Sequence, residues 1–254
     1  IANKVALVTG GSRGLGRQCA LSLAREGVKV AICARTEDTL RSTIDELKAI
    51  ESSATGIVAD VTEADTAEYI NREVVDRLGP IDILVNNVGG SRGRGGAVDV
   101  TEEEFKETFD LNLFGALRLI RLAIPHMQAQ SWGRIINISS IFGREHGGGA
   151  TYMAAKAALI ATTKHMALQM AKDGVLVNSV APGSIAFPGG NWQRFQDTQP
   201  PEVVKEFIER NLPMGRFGWP EPIGDTVAFL ASERASLITG VCINVDGGQS
   251  RSLI

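Results

Sequence analysis

Short continuous apolar runs alternate along the chain with longer amphipathic segments. The short runs are Val5–Thr9, Val28–Cys33, Thr55–Ala59, Ile81–Asn86, Arg134–Ser139, Leu176–Val180 and Cys242–Val245. They are continuous rather than alternating, the pattern of strands buried on both faces. Between them, Gly14–Glu26, Glu37–Ile50, Glu63–Leu78, Glu102–Gln128, Thr151–Asp173 and Glu221–Ala231 predict helices. Thr101 with Glu104 forms a capping-box signature, and Gly27, Gly79 and Gly174 stand where helices stop. Seven strands with helical crossovers predict an α/β fold: one domain over residues 1–254, with a Rossmann-like, doubly wound, seven-stranded parallel sheet and helices on both faces. One long irregular stretch, Gly183–Pro201, is rich in Gly, Pro and aromatics and precedes a short helix. It opens an insert at about 183–212, and a loop of this length inside a compact domain often serves as a lid or binding loop.

Composition narrows the function classes. A net charge of −3 over 254 residues gives no reason to expect nucleic acid or an anionic membrane as partner. No apolar run reaches the ~18 residues of a spanning helix. The chain opens almost directly into a strand, so no signal peptide is expected. Cys19, Cys33 and Cys242 are far apart, odd in number and set in apolar runs. Buried free thiols and a cytoplasmic location are expected, and no zinc-like ligand cluster is.

The first βα turn carries the first chemical signal. Thr9-Gly10-Gly11-Ser12-Arg13-Gly14-Leu15-Gly16 follows a strand and opens a helix. Glycines there allow close backbone approach, and a helix N-terminus favours an anion. The spacing is neither G-x-G-x-x-G nor a Walker A loop, so position carries the argument for a nucleotide. The second strand ends Cys33-Ala34-Arg35, with no carboxylate for ribose hydroxyls. Arg35 and Arg13 offer guanidinium groups for a 2′-phosphate, which favours NADP(H) over NAD(H); solvated loop charges are the plain alternative.

The second signal is Tyr152 and Lys156, four residues apart on one helix face. A cation beside a phenol favours the phenolate and is expected to lower the tyrosine's pKa toward a useful range. Asn112 lies in an apolar, aromatic stretch with Phe109, Leu111, Leu113 and Phe114. A buried amide there needs partners, either at a functional water site or as a core residue that distorts its helix.

Together these pieces resemble a short-chain dehydrogenase/reductase of the β-ketoacyl-carrier-protein-reductase-like subgroup. The resemblance covers the whole chain and rests on Thr9–Gly16, Asp60-Val61, Asn86-Asn87-Val88-Gly89, Asn112, Ser139-Ser140, Tyr152-x-x-x-Lys156, Pro182-Gly183 and Asp246-Gly247-Gly248. It implies that Gly10, Ser12, Arg13, Gly14, Leu15, Gly16 and Arg35 hold the NADP(H) phosphates. It also implies that Asp60 and Val61 meet the adenine, that Asn87 and Gly89 lie along the cofactor, and that Pro182, Gly183 and Ile185 border the nicotinamide. Tyr152 would exchange the proton with the substrate oxygen. Lys156 would lower the tyrosine pKa and bind the nicotinamide ribose, and Asn112 would hold a water linking Lys156 to solvent.

Two departures stand out beside a Val at position 88 where the family more often has Ala. Ser140-Ile141-Phe142-Gly143 matches the family's S-x-x-G, but Ser139 has its thirteen-residue spacing to the tyrosine. Strand register decides between neighbours that face opposite ways. We assign Ser140, which places a one-residue deletion in Gly147–Gly149. Phe187 replaces the threonine that usually contacts the cofactor.

The expected activity is reversible carbonyl reduction or alcohol oxidation, with 3-oxoacyl thioesters as one substrate class. A sugar or polyol dehydrogenase is the alternative within the enzyme class, and a non-catalytic nucleotide-binding regulator the one outside it. Arg92, Arg94 and His146 are candidate substrate contacts, though solvated loop residues are the default. Phe187, Trp192 and Phe195 suggest an apolar lid. The helix from Tyr152 to Met170 is apolar around most of its circumference, which predicts a homo-oligomer, tetramer or dimer.

Overall fold

The structure is a computed structural model and describes residues 1–51, 53–93 and 95–253. Arg94 therefore lies outside the described residues. Seven strands, β1 (Val5–Thr9), β2 (Lys29–Ala34), β3 (Thr55–Val58), β4 (Ile83–Asn86), β5 (Gly133–Ile138), β6 (Val175–Pro182) and β7 (Cys242–Val245), form one sheet in the order β3-β2-β1-β4-β5-β6-β7. Every pairing is parallel. The helices are α1 (Gly14–Arg25), α2 (Glu37–Ile50), α3 (Thr66–Leu78), α4 (Glu102–Phe109), α5 (Gly115–Ala129), α6 (Ala150–Met170), α7 (Asn191–Thr198), α8 (Pro201–Asn211) and α9 (Glu221–Ala231).

Alternation along each strand divides the core in two. On β1, Ala6 and Val8 face Cys19 and Leu23 of α1, Leu47 of α2 and Val227 of α9. Val5 and Leu7 face the opposite way, toward Ile70 of α3, Leu119 and Met127 of α5 and Met166 of α6. This is the doubly wound arrangement expected of strands apolar on both faces. Chain order reverses between β1 and β4, and the crevice at the carboxyl ends of these strands is where such sheets bind ligands. At the other end of the sheet Asp82 is a polar hub. It accepts the Val5 N–H at 2.9 Å, Gln130 Nε2 at 2.6 Å and His126 Nε2 at 3.2 Å, with Lys4 Nζ 3.5 Å away.

Several expectations need correction. The predicted helix 102–128 is α4 and α5 joined by a π-helical turn, Asp110–Phe114. The stretch Gly183–Pro201 is not wholly irregular. It contains α7, whose Trp192 and Phe195 pack with Phe207 of α8 and with Phe217, at ring-centroid distances of 4.9 to 6.3 Å. Tertiary aromatic packing, which apolar periodicity does not reveal, supports this short helix. Cys19 and Cys33 are buried free thiols, but Cys242 is only partly buried. The Thr101–Glu104 capping box is present in both directions, at 3.2 and 2.8 Å. Among the described residues no helix is long and apolar enough to cross a membrane.

Candidate active site

A cavity of about 770 Å³ runs along the carboxyl ends of β1, β2, β4, β5 and β6. Of the predicted site residues, Gly14 and Asn112 stand just behind its wall and the others line it. At one end α1 begins with no acidic residue in its first turn and no side-chain cap, so its free N–H groups favour an anion. The glycine turn is held from β4: Asn87 Nδ2 donates to Thr9 O at 2.9 Å and to Gly10 O at 3.3 Å, and the Asn87 N–H donates to Thr9 Oγ1 at 2.9 Å. A Cβ at Gly16 would lie 2.3 Å from Gly10 O and 2.4 Å from Asn87 Nδ2. Only glycine permits that closure.

The Arg35 side chain, 68% exposed, reaches toward Asp60 at 3.5 Å. Asp60 also accepts from Thr62 N–H at 3.0 Å and Thr62 Oγ1 at 2.8 Å. Burial pushes its carboxyl up, but the Thr62 hydrogen bonds and the Arg35 charge outweigh burial and hold it below its ordinary value. Arg13 is exposed at the mouth beside Gly189.

At the other end Tyr152, Lys156 and the serine pair meet. Ser140 lines the cavity and accepts the Phe142 N–H at 3.2 Å. The hydroxyl of Ser139 donates to Lys156 O at 3.2 Å, a structural bond between β5 and α6. Of the pair, only Ser140 influences the titration of Tyr152. Lys156 Nζ donates to Ile138 O at 2.8 Å and lies 5.6 Å from the Tyr152 ring centroid. The lysine is buried, and burial pulls its pKa down to about 7. Burial likewise raises Tyr152, with the Ser140 hydroxyl drawing it back. The expected net lowering of the tyrosine is not found: burial is the leading cause of both shifts, raising Tyr152 and lowering Lys156.

Asn112 is buried in the π-helical turn. Its Nδ2 donates to Thr108 O and Gly90 O, both at 2.7 Å, and its Oδ1 accepts the Gly90 N–H at 3.1 Å. The amide thus competes for a backbone acceptor one turn back, which fits a widened turn, and it fastens the β4 loop. It distorts its helix and also stands beside the site. A Cβ at Gly89 would lie 2.7 Å from Lys156 Nζ and 2.8 Å from Asn112 Oδ1, so this glycine lets the amide and the ammonium approach the same point.

His146 is exposed and does not line the cavity, whereas Arg92 does, paired with Glu107 at 3.8 Å. Phe187 and Trp192 line the cavity, while Phe195 packs within the insert. Sequence reasoning missed Leu111, Phe142 and Thr39 as lining residues, since nothing local distinguishes them from core or helix-surface positions.

A family model described as Enoyl-(Acyl carrier protein) reductase matches residues 10–250. The chain is 40% identical over 247 residues to the 3-oxoacyl-[acyl-carrier-protein] reductase FabG of Staphylococcus aureus, covering 96% of this chain and 97% of that one. It is 34% identical over 250 residues to the (2S)-[(R)-hydroxy(phenyl)methyl]succinyl-CoA dehydrogenase subunit BbsD of Thauera aromatica, covering 98% of each. A solved point variant of an actinorhodin polyketide ketoreductase with NADPH superposes with a TM-score of 0.90 at 33% identity, covering 98% of each chain. The glycine turn, the Tyr152–Lys156 pair and these likenesses along nearly the whole length agree: the chain belongs to the short-chain dehydrogenase/reductase family.

Proposed function

We propose that this chain is an NADP(H)-dependent oxidoreductase that reduces a carbonyl to an alcohol, with 3-oxoacyl thioesters as its substrate class. One observation carries the reading: a single cavity joins an anion-receptive glycine turn and Arg35 to a wall bearing Ser140, Tyr152 and Lys156. The residues fit the dinucleotide. The α1 N-terminus suits a pyrophosphate, Arg35 with Arg13 a 2′-phosphate, and Asp60 and Val61 the adenine end. Pro182, Gly183 and Ile185 suit the nicotinamide end. The relatives named for 3-oxoacyl-carrier and coenzyme A thioester chemistry, and the ketoreductase structure named with NADPH, support both the cofactor and the substrate class.

NADPH, when bound, would supply a hydride for the carbonyl carbon. The protein's task is the oxygen. Tyr152, kept protonated by its raised pKa, donates its phenolic proton to the substrate oxygen. Ser140 donates a hydrogen bond to the same oxygen and steadies the developing negative charge. Lys156, poised near neutrality by burial, is held protonated by the nascent phenolate and stabilises it. Asn112 fastens the β4 loop beside Lys156. Phe187, seated against Gly14, and Trp192 would cover the bound cofactor as a lid.

Exposed Phe114 (45%) and Leu168 (75%), on the π-helical turn and α6, are apolar surface available to a second copy, and we read the chain as a cytoplasmic homo-oligomer. The reading is tested by NADPH oxidation with acetoacetyl thioesters, sugars and small ketones. Turnover of the thioester that disappears in Tyr152→Phe, while NADPH still binds, supports it. Cofactor binding without turnover across the panel favours the regulator, and turnover of sugars alone favours a polyol dehydrogenase.

A further inference from the structure

We propose that the C-terminal residues Gln249–Ser252 form a two-point clamp on the reaction centre, with Gln249 and Glu145 as its positioning residues. After β7 the chain folds back through Gly247 and Gly248, at φ +65° and +81°. Asp246 closes this turn by accepting the Gly248 N–H at 2.9 Å and the Ser250 N–H at 2.8 Å.

The first point of the clamp is Gln249. Its Oε1 accepts the Ser184 N–H at 2.7 Å, and its Nε2 donates to Ser184 Oγ at 2.9 Å. Ser184 is buried and lies between Gly183 and Ile185 on the cavity wall. A Cβ on Gly183 would lie 2.7 Å from both Asp246 Cβ and Gln249 Oε1, so glycine there admits the crossing tail.

The second point is Glu145, in the loop between Ser140 and Tyr152. One carboxylate oxygen accepts Ser250 Oγ at 3.0 Å and the N–H groups of Arg251 and Ser252, both at 2.8 Å. The adjacent Arg144 donates to Cys242 O and Asn244 Oδ1, each at 2.7 Å. Successive residues therefore tie this glycine-rich loop to β7 and to the tail. Charge-assisted bonds of this kind are among the stronger ones in a protein. The tail thus joins the wall that borders the cofactor's reactive end to the loop that sets the distance between Ser140 and Tyr152.

The inference rests on the carbonyl-reductase reading. Glu145→Ala, and separately a chain ending at Gln249, should each lower kcat about tenfold, since small displacements of reacting groups are costly, with the NADPH Kd within about twofold of wild type. The two changes together should cost no more than either alone. Glu145→Gln, which keeps an acceptor oxygen, should recover most of the loss. Gln249→Ala should speed amide exchange at 184–187, and Glu145→Ala at 143–149. Unchanged kcat in Glu145→Ala, additive losses, or unaltered exchange in these segments would overturn the clamp. If the wild-type chain turns over no carbonyl substrate, the functional reading fails, and the exchange measurements still decide whether the tail holds the two loops.

Discussion

The ring of Phe187 lies against the backbone of Gly14, so close that a Cβ on Gly14 would stand 2.5 Å from Phe187 Cε2. The insert is thereby seated on the turn that would hold the pyrophosphate. Gly14 has φ +54°, where a side chain costs about 1 kcal/mol or more even without a neighbour. Gly14→Ala should therefore lower the thermal midpoint and weaken NADPH binding by about tenfold, read by cofactor fluorescence. Adding Phe187→Ala should return part of the affinity, because it removes the clash and leaves only the backbone strain. Wild-type affinity in Gly14→Ala would show that the contact does not shape the cofactor site.

The serine pair separates by role. Ser140 lines the cavity next to Tyr152, whereas Ser139 is committed to the Lys156 carbonyl. Ser140→Ala should lower kcat about 10²- to 10³-fold, the usual loss of one oxyanion donor. Ser139→Ala should leave kcat within a few-fold and cost about 1 kcal/mol of stability for one buried hydrogen bond. Steady-state kinetics and urea unfolding of both variants check this; the reverse ranking would exchange the assignments.

Lys156 makes stability depend on pH in a defined direction. Its folded pKa of about 7 lies below the ordinary lysine value of 10.5. Between these values the unfolded chain binds the extra proton, so stability rises with pH by up to about 1.4 kcal/mol per unit and is lost again as pH falls toward 7. Lys156→Met removes this dependence. The wild type should therefore gain on Lys156→Met in urea unfolding at pH 9 relative to pH 7. A constant difference across that range would mean that the lysine keeps its proton in the folded chain.

What the sequence made legible was what chemistry repeats locally. Strand runs, the glycine turn and the Tyr152–Lys156 spacing each depend on residues near one another in the chain. The π-helical turn depends on the Asn112 amide finding Gly90, and α7 on Trp192 finding Phe207; both are tertiary matters. Helical spacing places Tyr152 and Lys156 together, but their pKa directions follow burial first, with the Ser140 hydroxyl drawing Tyr152 back, and spacing encodes neither. The likeness of Ser139 to Ser140 in sequence dissolves only when β5 fixes which hydroxyl faces α6.

Asp82 should contribute to the loss of stability in acid. Burial raises its carboxyl, but the Val5 N–H, Gln130, His126 and Lys4 outweigh burial and set it below its ordinary value. Such a group stabilises the fold above its unfolded pKa, and that contribution is lost as pH falls through the folded one. Asp82→Ala leaves the buried Val5 N–H and one Gln130 amide hydrogen without their acceptor, at a cost of about 2 to 4 kcal/mol near neutrality. The gap between variant and wild type in urea unfolding should narrow below about pH 4. A gap that persists unchanged into strong acid would assign the loss to packing.

Arg35 should decide between the two nicotinamide dinucleotides. Its guanidinium stands at the end of β2 in place of a carboxylate, largely exposed and 3.5 Å from Asp60. A 2′-phosphate there would gain charge-assisted hydrogen bonds of about 1.5 to 3 kcal/mol, or roughly ten- to a hundredfold in binding. Arg35→Ala should thus lower kcat/KM for NADPH by that factor and leave the NADH value within a few-fold. Because the site is open to solvent, the wild-type KM for NADPH should also rise with salt as the charges are screened, and the variant should lose that dependence. Equal losses for both nucleotides would assign Arg35 to holding Asp60 and the adenosine pocket, with no part in reading the phosphate.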